Sequence, residues 1–294
     1  MRKIAIFGRQ NSRDSKAVLK RVLSILCTNK VEIHVEQTYF ELNKECFEKQ
    51  PKLYGFRDNP IDRTCELMIS IGGDGTILRA VTFIGFLGIP ILGINTGRLG
   101  FLATVNQELI EKRLAEYFNN DYQLSFRTML EVFSNYSNAS LKEVNFALNE
   151  VTVSRKDTTS MITIDTYLNQ DYLTSYWADG LIVSTPTGST GYSLSCGGPV
   201  ITPEAESLVL TPIAPHNLNA RPLVIKDDIE VKLKVSGRED HFLVALDSRI
   251  TTFDNSSELI IKKSVNKLGM IKFKDEGFLK TIRKKLLWGE DRRN

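Results

Sequence analysis

The sequence predicts an α/β N-terminal domain of Rossmann-like character followed by an all-β, sandwich-like C-terminal domain. Three observations carry this expectation. Through the first third, short apolar runs alternate with amphipathic helical spacings, the pattern of a parallel sheet with crossover helices. From Thr128 to Lys262 β-branched and aromatic residues dominate, in short runs separated by Asn, Asp, Gly and Ser. A length of 294 residues suits two domains and buries a substantial core without disulfides or a structural metal. The expected division is 1–125 for the α/β domain, 126–264 for the β domain, and a tail, 265–294, that rejoins the first.

The elements follow in order. Lys3–Phe7, an apolar run ending at Gly8, reads as a buried strand. Ala17–Leu26 has its apolar residues at helical spacing, with Ser12 or Asp14 as the cap. Val31–Val35 is a second strand, and Leu67–Ile71 a third that runs directly into Gly72. Thr76–Phe83 reads as helix, Ile91–Ile94 as strand, and Gln107–Phe118 as an amphipathic helix. The strands expected beyond include Glu150–Ser154, Met161–Tyr167, Gly180–Ser184, Ile229–Val235, Phe242–Leu246 and Glu258–Ile261. Phe278–Trp288 returns to helix with one apolar face, expected to dock on the first domain rather than on a membrane.

Composition narrows the class. Hydrophobic residues at 42% and charged residues at 25% are those of a soluble globular protein. A net charge of +3 is too small to argue for nucleic acid or a membrane surface, so neither partner is expected. No stretch approaches the roughly 20 apolar residues of a membrane span. The apolar run at Met1–Gly8 is too short for a signal peptide, and a cytoplasmic enzyme is expected. Cys27, Cys46, Cys65 and Cys196 have neither CxxC nor zinc-ligand spacing. The first three are expected to be buried, inert thiols. His34 reads as structural, His216 as a loop hydrogen-bonder and His241 as part of a solvated turn.

The strand ending at Ile71, then Gly72-Gly73-Asp74-Gly75-Thr76, then a helix, is a phosphate-handling arrangement. Glycines let the backbone turn tightly and bring its amides near an anion, and the helix adds its N-terminal N–H groups. There is no GxxxxGK[ST] and no GxGxxG. Asp74 is the unusual element, because a carboxylate among phosphate-binding amides repels phosphate. It suits a base that accepts a proton from an attacking hydroxyl, a ligand to Mg²⁺ on the donor, or a plain helix cap. Arg79, one helical turn past Thr76, is a candidate phosphate contact or a solvated surface arginine.

Gly72–Thr76 resembles a signature shared by NAD kinases, diacylglycerol- and sphingosine-type lipid kinases and, more distantly, phosphofructokinases. Three further segments narrow the resemblance to NAD kinases. These are Gly93–Leu102, the pair Asn149-Glu150, and the run Asp179–Ser195 continuing to Pro199; Pro215–Val224 adds a fourth. Together they cover about Leu67 to Asp247 in the family's order.

The resemblance implies phosphoryl transfer from ATP to the adenosine ribose 2′-hydroxyl of NAD. It implies an α/β domain joined to an all-β domain with the active site in the cleft between them, and a homodimer or homotetramer. Asp74 matches the family's base, and Gly75 lies with it against the nucleotide. Phe101 matches an aromatic lining the adenine pocket, and Arg79 a position that in some members contacts the nucleotide. Asn149 and Glu150 match a pair that bonds a ribose, whose hydroxyls both donate and accept. Asp179, Thr187 and the run Thr190, Gly191, Tyr192, Ser193, Leu194 and Ser195 match substrate-binding positions. The hydroxyls between Ser184 and Ser193 offer neutral hydrogen bonds, suited to a ligand that already carries a pyrophosphate. Gly191 departs from a frequent Ala, and Arg249, a further substrate-contact position, from a frequent Gln. The expected cofactor is a divalent metal, Mg²⁺, with no identifiable site built from protein ligands alone. A lipid kinase would need an apolar groove where the hydroxyl-rich Ser184–Ser195 stands, and a non-catalytic NAD sensor would not need Asp74.

Overall fold

The structure, a computed structural model, describes residues 1–9, 12–48, 53–56, 61–97, 99–135, 144–156 and 160–289. The chain forms two compact units, 1–126 with 268–294, and 127–267.

Unit 1 is built on parallel strands β1 (Lys3–Gly8), β2 (Glu32–Glu36), β3 (Leu53–Phe56), β4 (Leu67–Ile71) and β5 (Ile91–Ile94), in the spatial order β3-β2-β1-β4-β5. Every residue of β4 and β5 is buried, as expected of interior parallel strands with both faces covered. Helix α1 (Arg13–Thr28) packs Val18, Leu19, Val22, Leu23 and Leu26 into the core, and Ser12 caps it by accepting the Ser15 N–H at 3.2 Å. Short helices α2 (Gln37–Leu42) and α3 (Lys44–Phe47), then α4 (Asp74–Ile84) and α5 (Ile110–Phe118), complete the α/β layers. The chain order reverses between β1 and β4, which pair from Ile4↔Leu67 to Gly8↔Ile71. That is a topological switch point, and the loop leaving β4 at Gly72 stands at its carboxyl edge, where open α/β sheets bind ligands.

Unit 2 is built on two sets of antiparallel strands. One contains β6 (Gln123–Ser134), β7 (Phe146–Ala147), β9 (Ile162–Leu168), β10 (Asp171–Ala178), β14 (Val231–Ser236) and β17 (Glu258–Lys272). The other has β8 (Glu150–Arg155), β11 (Gly180–Ser184), β12 (Ser207–Ile213), β13 (Leu223–Lys226), β15 (His241–Leu246) and β16 (Arg249–Asp254), in the order β13-β12-β11-β8-β15-β16. Inward residues of both sheets share one core, Val153, Leu181 and Val244 from the second, Ile164, Leu233 and Ile261 from the first. In β14 the alternation is plain: Val231, Leu233 and Val235 are buried while Lys232 and Lys234 are not. A four-residue helix, α6 (Tyr192–Ser195), interrupts the strands, and α7 (Phe278–Leu286) closes the chain in unit 1.

Several expectations change. β17 continues past Ile261 to Lys272, because pairing with β6 sustains it through the polar stretch Lys262–Lys267. Ser264 there is buried and hydrogen-bonded to Glu131. Cys27 is exposed, because it falls outside the apolar stripe of α1. Cys46 and Cys65 are buried, and burial pushes the Cys65 thiol up to about 12. His34 bonds Glu32 at 2.9 Å and stacks on Tyr54. His216 donates its backbone N–H to Trp177 O, and His241 is the exposed first residue of β15. Among the described residues no helix is long and apolar enough to cross a membrane.

Alkylation of the native protein should therefore modify Cys27 readily and leave Cys65 untouched until denaturant is added. Peptide mass spectrometry reads both sites, and equal labelling of the two in the native state would contradict this packing.

Candidate functional site

The glycine loop begins with a steric requirement. Gly72 has φ +150°, and a Cβ there would lie 2.3 Å from Thr76 Oγ1, so a side chain is excluded. Gly73 is the N-cap of α4 and provides no capping side chain. Asp74, the first helical residue, does not cap the helix either. Its Oδ2 accepts the Phe101 N–H at 2.7 Å, and its Oδ1 accepts those of Leu102 at 3.0 Å and Ala103 at 2.9 Å. Gly100 makes this approach possible, because a Cβ on it would come within 1.8 Å of Asp74 Oδ1. The cradle is shaped by buried Asn95, whose Oδ1 accepts the Gly97 N–H at 2.6 Å. Gly73 and Gly75 are exposed with open space around them, Thr76 is buried, and Arg79 is exposed on α4. Phe101 is half-buried, and Arg98 lies outside the described residues.

In unit 2 a second carboxylate organises the Leu148–Glu150 turn. Asp247, at φ +53°, accepts the N–H groups of Leu148 at 2.9 Å, Asn149 at 2.8 Å and Glu150 at 3.2 Å. From the other side, the Thr185 hydroxyl donates to Leu148 O at 2.7 Å and the Thr185 N–H to Asn149 O at 2.9 Å. The turn so fixed carries Asn149 Oδ1 and Glu150 Oε2, both buried and without a hydrogen-bond partner among the described residues, as is Thr187 Oγ1. Gly191 faces the pair: a Cβ on it would sit 3.2 Å from Glu150 Oε2 and 3.5 Å from Asn149 Nδ2. Burial, with the Asp247 charge added, pushes the Glu150 carboxyl up to about 8, and burial raises Asp247 as well. Unpaired buried acceptors are costly in a folded protein, so a cluster of them marks a place for a hydrogen-bonding ligand.

The other residues divide. Ser184 donates to Thr185 O, Ser189 to Pro186 O and Thr190 to Thr187 O, while Ser193 pairs with Thr211 at 2.8 Å in full burial. Most hydroxyls of this run thus hold the turn rather than face a ligand. Tyr192 and Ser195 are exposed, and Leu194 is half-buried. Asp179 pairs with Arg155 at 3.1 Å and lines a cavity of about 480 Å³ with Trp177, His216 and Arg238. The Arg249 guanidinium donates to Val144 O and Phe146 O, in hydrogen bonds that brace the strand before the turn. Gly100, the Leu102 and Ala103 amides and Asp247 escape sequence reading, although Gly100 and Asp247 lie inside segments that it singles out.

Residues 4–122 match the family model of the ATP-NAD kinase N-terminal domain, and residues 148–273 that of the ATP-NAD kinase C-terminal domain. An NAD kinase of Flavobacterium johnsoniae is 54% identical over 294 residues, spanning 99% of this chain and 100% of its own. One from Flavobacterium psychrophilum is 55% identical over 295 residues, with 99% and 100% covered. An NAD kinase from Archaeoglobus fulgidus, solved in complex with ATP, aligns at TM-score 0.73 and 25% identity over 98% of this chain and 99% of that one. Yeast NADH kinase, complexed with NADH, has the same fold at TM-score 0.88 and 24% identity, covering 100% of this chain and 89% of its own.

The raised Glu150 carboxyl predicts a stability that depends on pH. Between its ordinary value of 4.5 and about 8 the folded protein holds a proton that the unfolded chain has lost. Stability therefore falls as pH rises through that window, by at most about 1.4 kcal/mol per pH unit for one group. Thermal melts of ligand-free protein across the window should show this slope, and Glu150→Gln should make it shallower. An unchanged slope in the variant would remove the proton from Glu150.

Proposed function

This chain belongs to the NAD kinase family, and from that premise we propose how its residues divide the work. The reaction moves the terminal phosphoryl group of ATP to the adenosine ribose 2′-hydroxyl of NAD, giving NADP and ADP. As the hydroxyl oxygen bonds to the phosphorus, the bond from phosphorus to the ADP oxygen breaks and the hydroxyl proton leaves. Asp74 takes that proton.

One observation carries this assignment. A carboxylate has about four lone-pair sites. Two N–H groups converge on Oδ1 and one on Oδ2, which leaves a site on Oδ2 for a proton while the amides fix its direction. The glycine loop is the phosphate-facing side of the same element: Gly72 and Gly73 bring the chain to the N-terminus of α4, the Thr76 N–H closes the turn on Gly73 O at 2.9 Å, and Gly75 offers its amide. Arg79, exposed on the next turn, supplies a cation for the donor, and Phe101 an apolar face for the adenine.

The NAD side is read from the turn that Asp247 organises. Near neutral pH Glu150 keeps its proton, so its carboxyl both donates and accepts, as does the Asn149 amide. Ribose hydroxyls match that pair and satisfy the buried acceptors, Thr187 included. Gly191 leaves room beside Glu150, while Tyr192, Leu194 and Ser195 offer contact surface and Asp179 a carboxylate for the base or nicotinamide end. Ser193 and Thr190 act by holding this turn, and Arg249 by bracing the strand before it.

A divalent cation such as Mg²⁺ supplies compensation for the charge that gathers on the transferring phosphoryl. Among the described residues no three His, Cys, Asp or Glu side chains cluster, and N–H donors converge on Asp74. A cytoplasmic homodimer or homotetramer completes the proposal, supported by the family resemblance.

Asp74→Asn removes the proton acceptor and leaves the Asn149–Glu150 turn alone. Its kcat should fall by about 10²–10⁴-fold, while calorimetric titration should still detect NAD binding. A variant that forms NADP at close to the parent rate would end the assignment of Asp74 as base.

A further inference from the structure

Whatever holds the Phe101–Ala103 backbone also aims Asp74. That segment belongs to the irregular connection after β5, and its own backbone bonds are few: Gly100 N–H to Ala103 O at 3.2 Å, and a bridge between Ile94 and Val105. Its side chains meet the C-terminal stretch of unit 1. The Glu276 carboxylate accepts the Phe273 N–H at 3.2 Å and stands close to the Thr104 hydroxyl, which favours its charged form. The Phe278 ring lies 6.5 Å from the Phe101 ring between centroids, and Lys285 Nζ stands 5.9 Å from the same ring.

The stretch is fastened at one end and light at the other. Arg113, only 3% exposed, pairs with Asp275 at 2.6 Å and lies 4.7 Å over the Phe273 ring. Beyond that anchor, α7 buries a single residue, Ile282. A nine-residue helix with so little buried surface is marginal by itself. Its contacts with Phe101 are therefore a large part of what keeps it in place, and the dependence runs both ways.

We propose that Phe273–Lys285 is a strap that positions the Asp74 cradle, with Glu276 and Phe278 as positioning residues for phosphoryl transfer. Glu276 ties the strap at Phe273 and stands beside Thr104, and Phe278 with Lys285 fixes the Phe101 ring and so the first of the three amides on the carboxylate. The proposal rests on Asp74 being the base, and its test separates the two.

In the full-length chain, Phe278→Ala, Phe278→Leu, Glu276→Gln and Lys285→Met are compared by hydrogen exchange of the peptide covering Phe101–Ala103 and by steady-state NADP formation. Phe278→Ala should speed exchange of these amides about tenfold and lower kcat about tenfold, with KM for ATP changed less than about twofold. Phe278→Leu should restore most of both, and Glu276→Gln should shift them in the same direction as Phe278→Ala. In an Asp74→Asn background Phe278→Ala should cause no further loss, because it acts through the missing carboxylate. Should Phe278→Ala unfold the protein, Lys285→Met, at an exposed position, should still speed exchange. Unchanged exchange in the folded variants, or the same fractional loss of kcat in both backgrounds, overturns the strap. An Asp74→Asn enzyme with a full rate would instead overturn the base and leave the exchange result to stand.

Discussion

One interaction organises unit 1: a carboxylate at the first position of α4 accepting three consecutive backbone N–H groups from a different connection. Phe101, Leu102 and Ala103 lie in irregular structure and have no ladder to donate into, so Asp74 gives their amides acceptors. In return they tie the loop after β4 to the loop after β5 at the carboxyl edge of the sheet. Two loops that would otherwise move independently become one body. The positive end of α4 also favours the anion at this position. The cost is borne at Gly100, where no side chain fits.

Unit 2 uses the same device for a different end. Asp247 also accepts three consecutive N–H groups, and it too leaves a neighbouring loop with one possible shape. The environments separate the two roles. Asp247 is half-buried like Asp74, but desolvation pushes its carboxyl up, and the N–H groups it accepts are those of the turn it organises. Asp74 is half-buried at the mouth of an exposed glycine loop, where a substrate can reach the remaining site on its oxygen. The same three-fold acceptance thus holds a turn in one place and the proposed base in the other.

Much of the fold is legible in the sequence because its periods are clean. β4 and β5 are unbroken apolar runs, α1 has a continuous stripe, and β14 alternates strictly. Among the elements that escape are α2, α3 and β3, each too short to show a period, and the far half of β17, where pairing with β6 overrides a polar composition. Of the site, Asp74, Asn149 and Glu150 stand out because polar groups in those contexts need a reason. Gly100 and Asp247 do not, since a glycine or an aspartate in a turn is ordinary until the atom opposite it is known. Cys27 illustrates the same limit: whether a thiol at the edge of a helical stripe is covered depends on what packs there.

The hydroxyl-rich run between Ser184 and Ser195 is where composition and geometry part. Read as a list, its serines and threonines suggest a row of contacts to a polar ligand. Ser184, Thr185, Ser189, Thr190 and Ser193 instead bond groups of the protein itself, which a buried hydroxyl must do to offset its desolvation. Their effect is to hold Thr185 against Leu148 and to bring Gly191 beside Glu150. Among the described residues, the buried oxygens beside this run that bond no protein group are Asn149 Oδ1, Glu150 Oε2 and Thr187 Oγ1. In this run a satisfied hydroxyl builds the wall, and the proposed ribose contacts are the few acceptors that the wall leaves open.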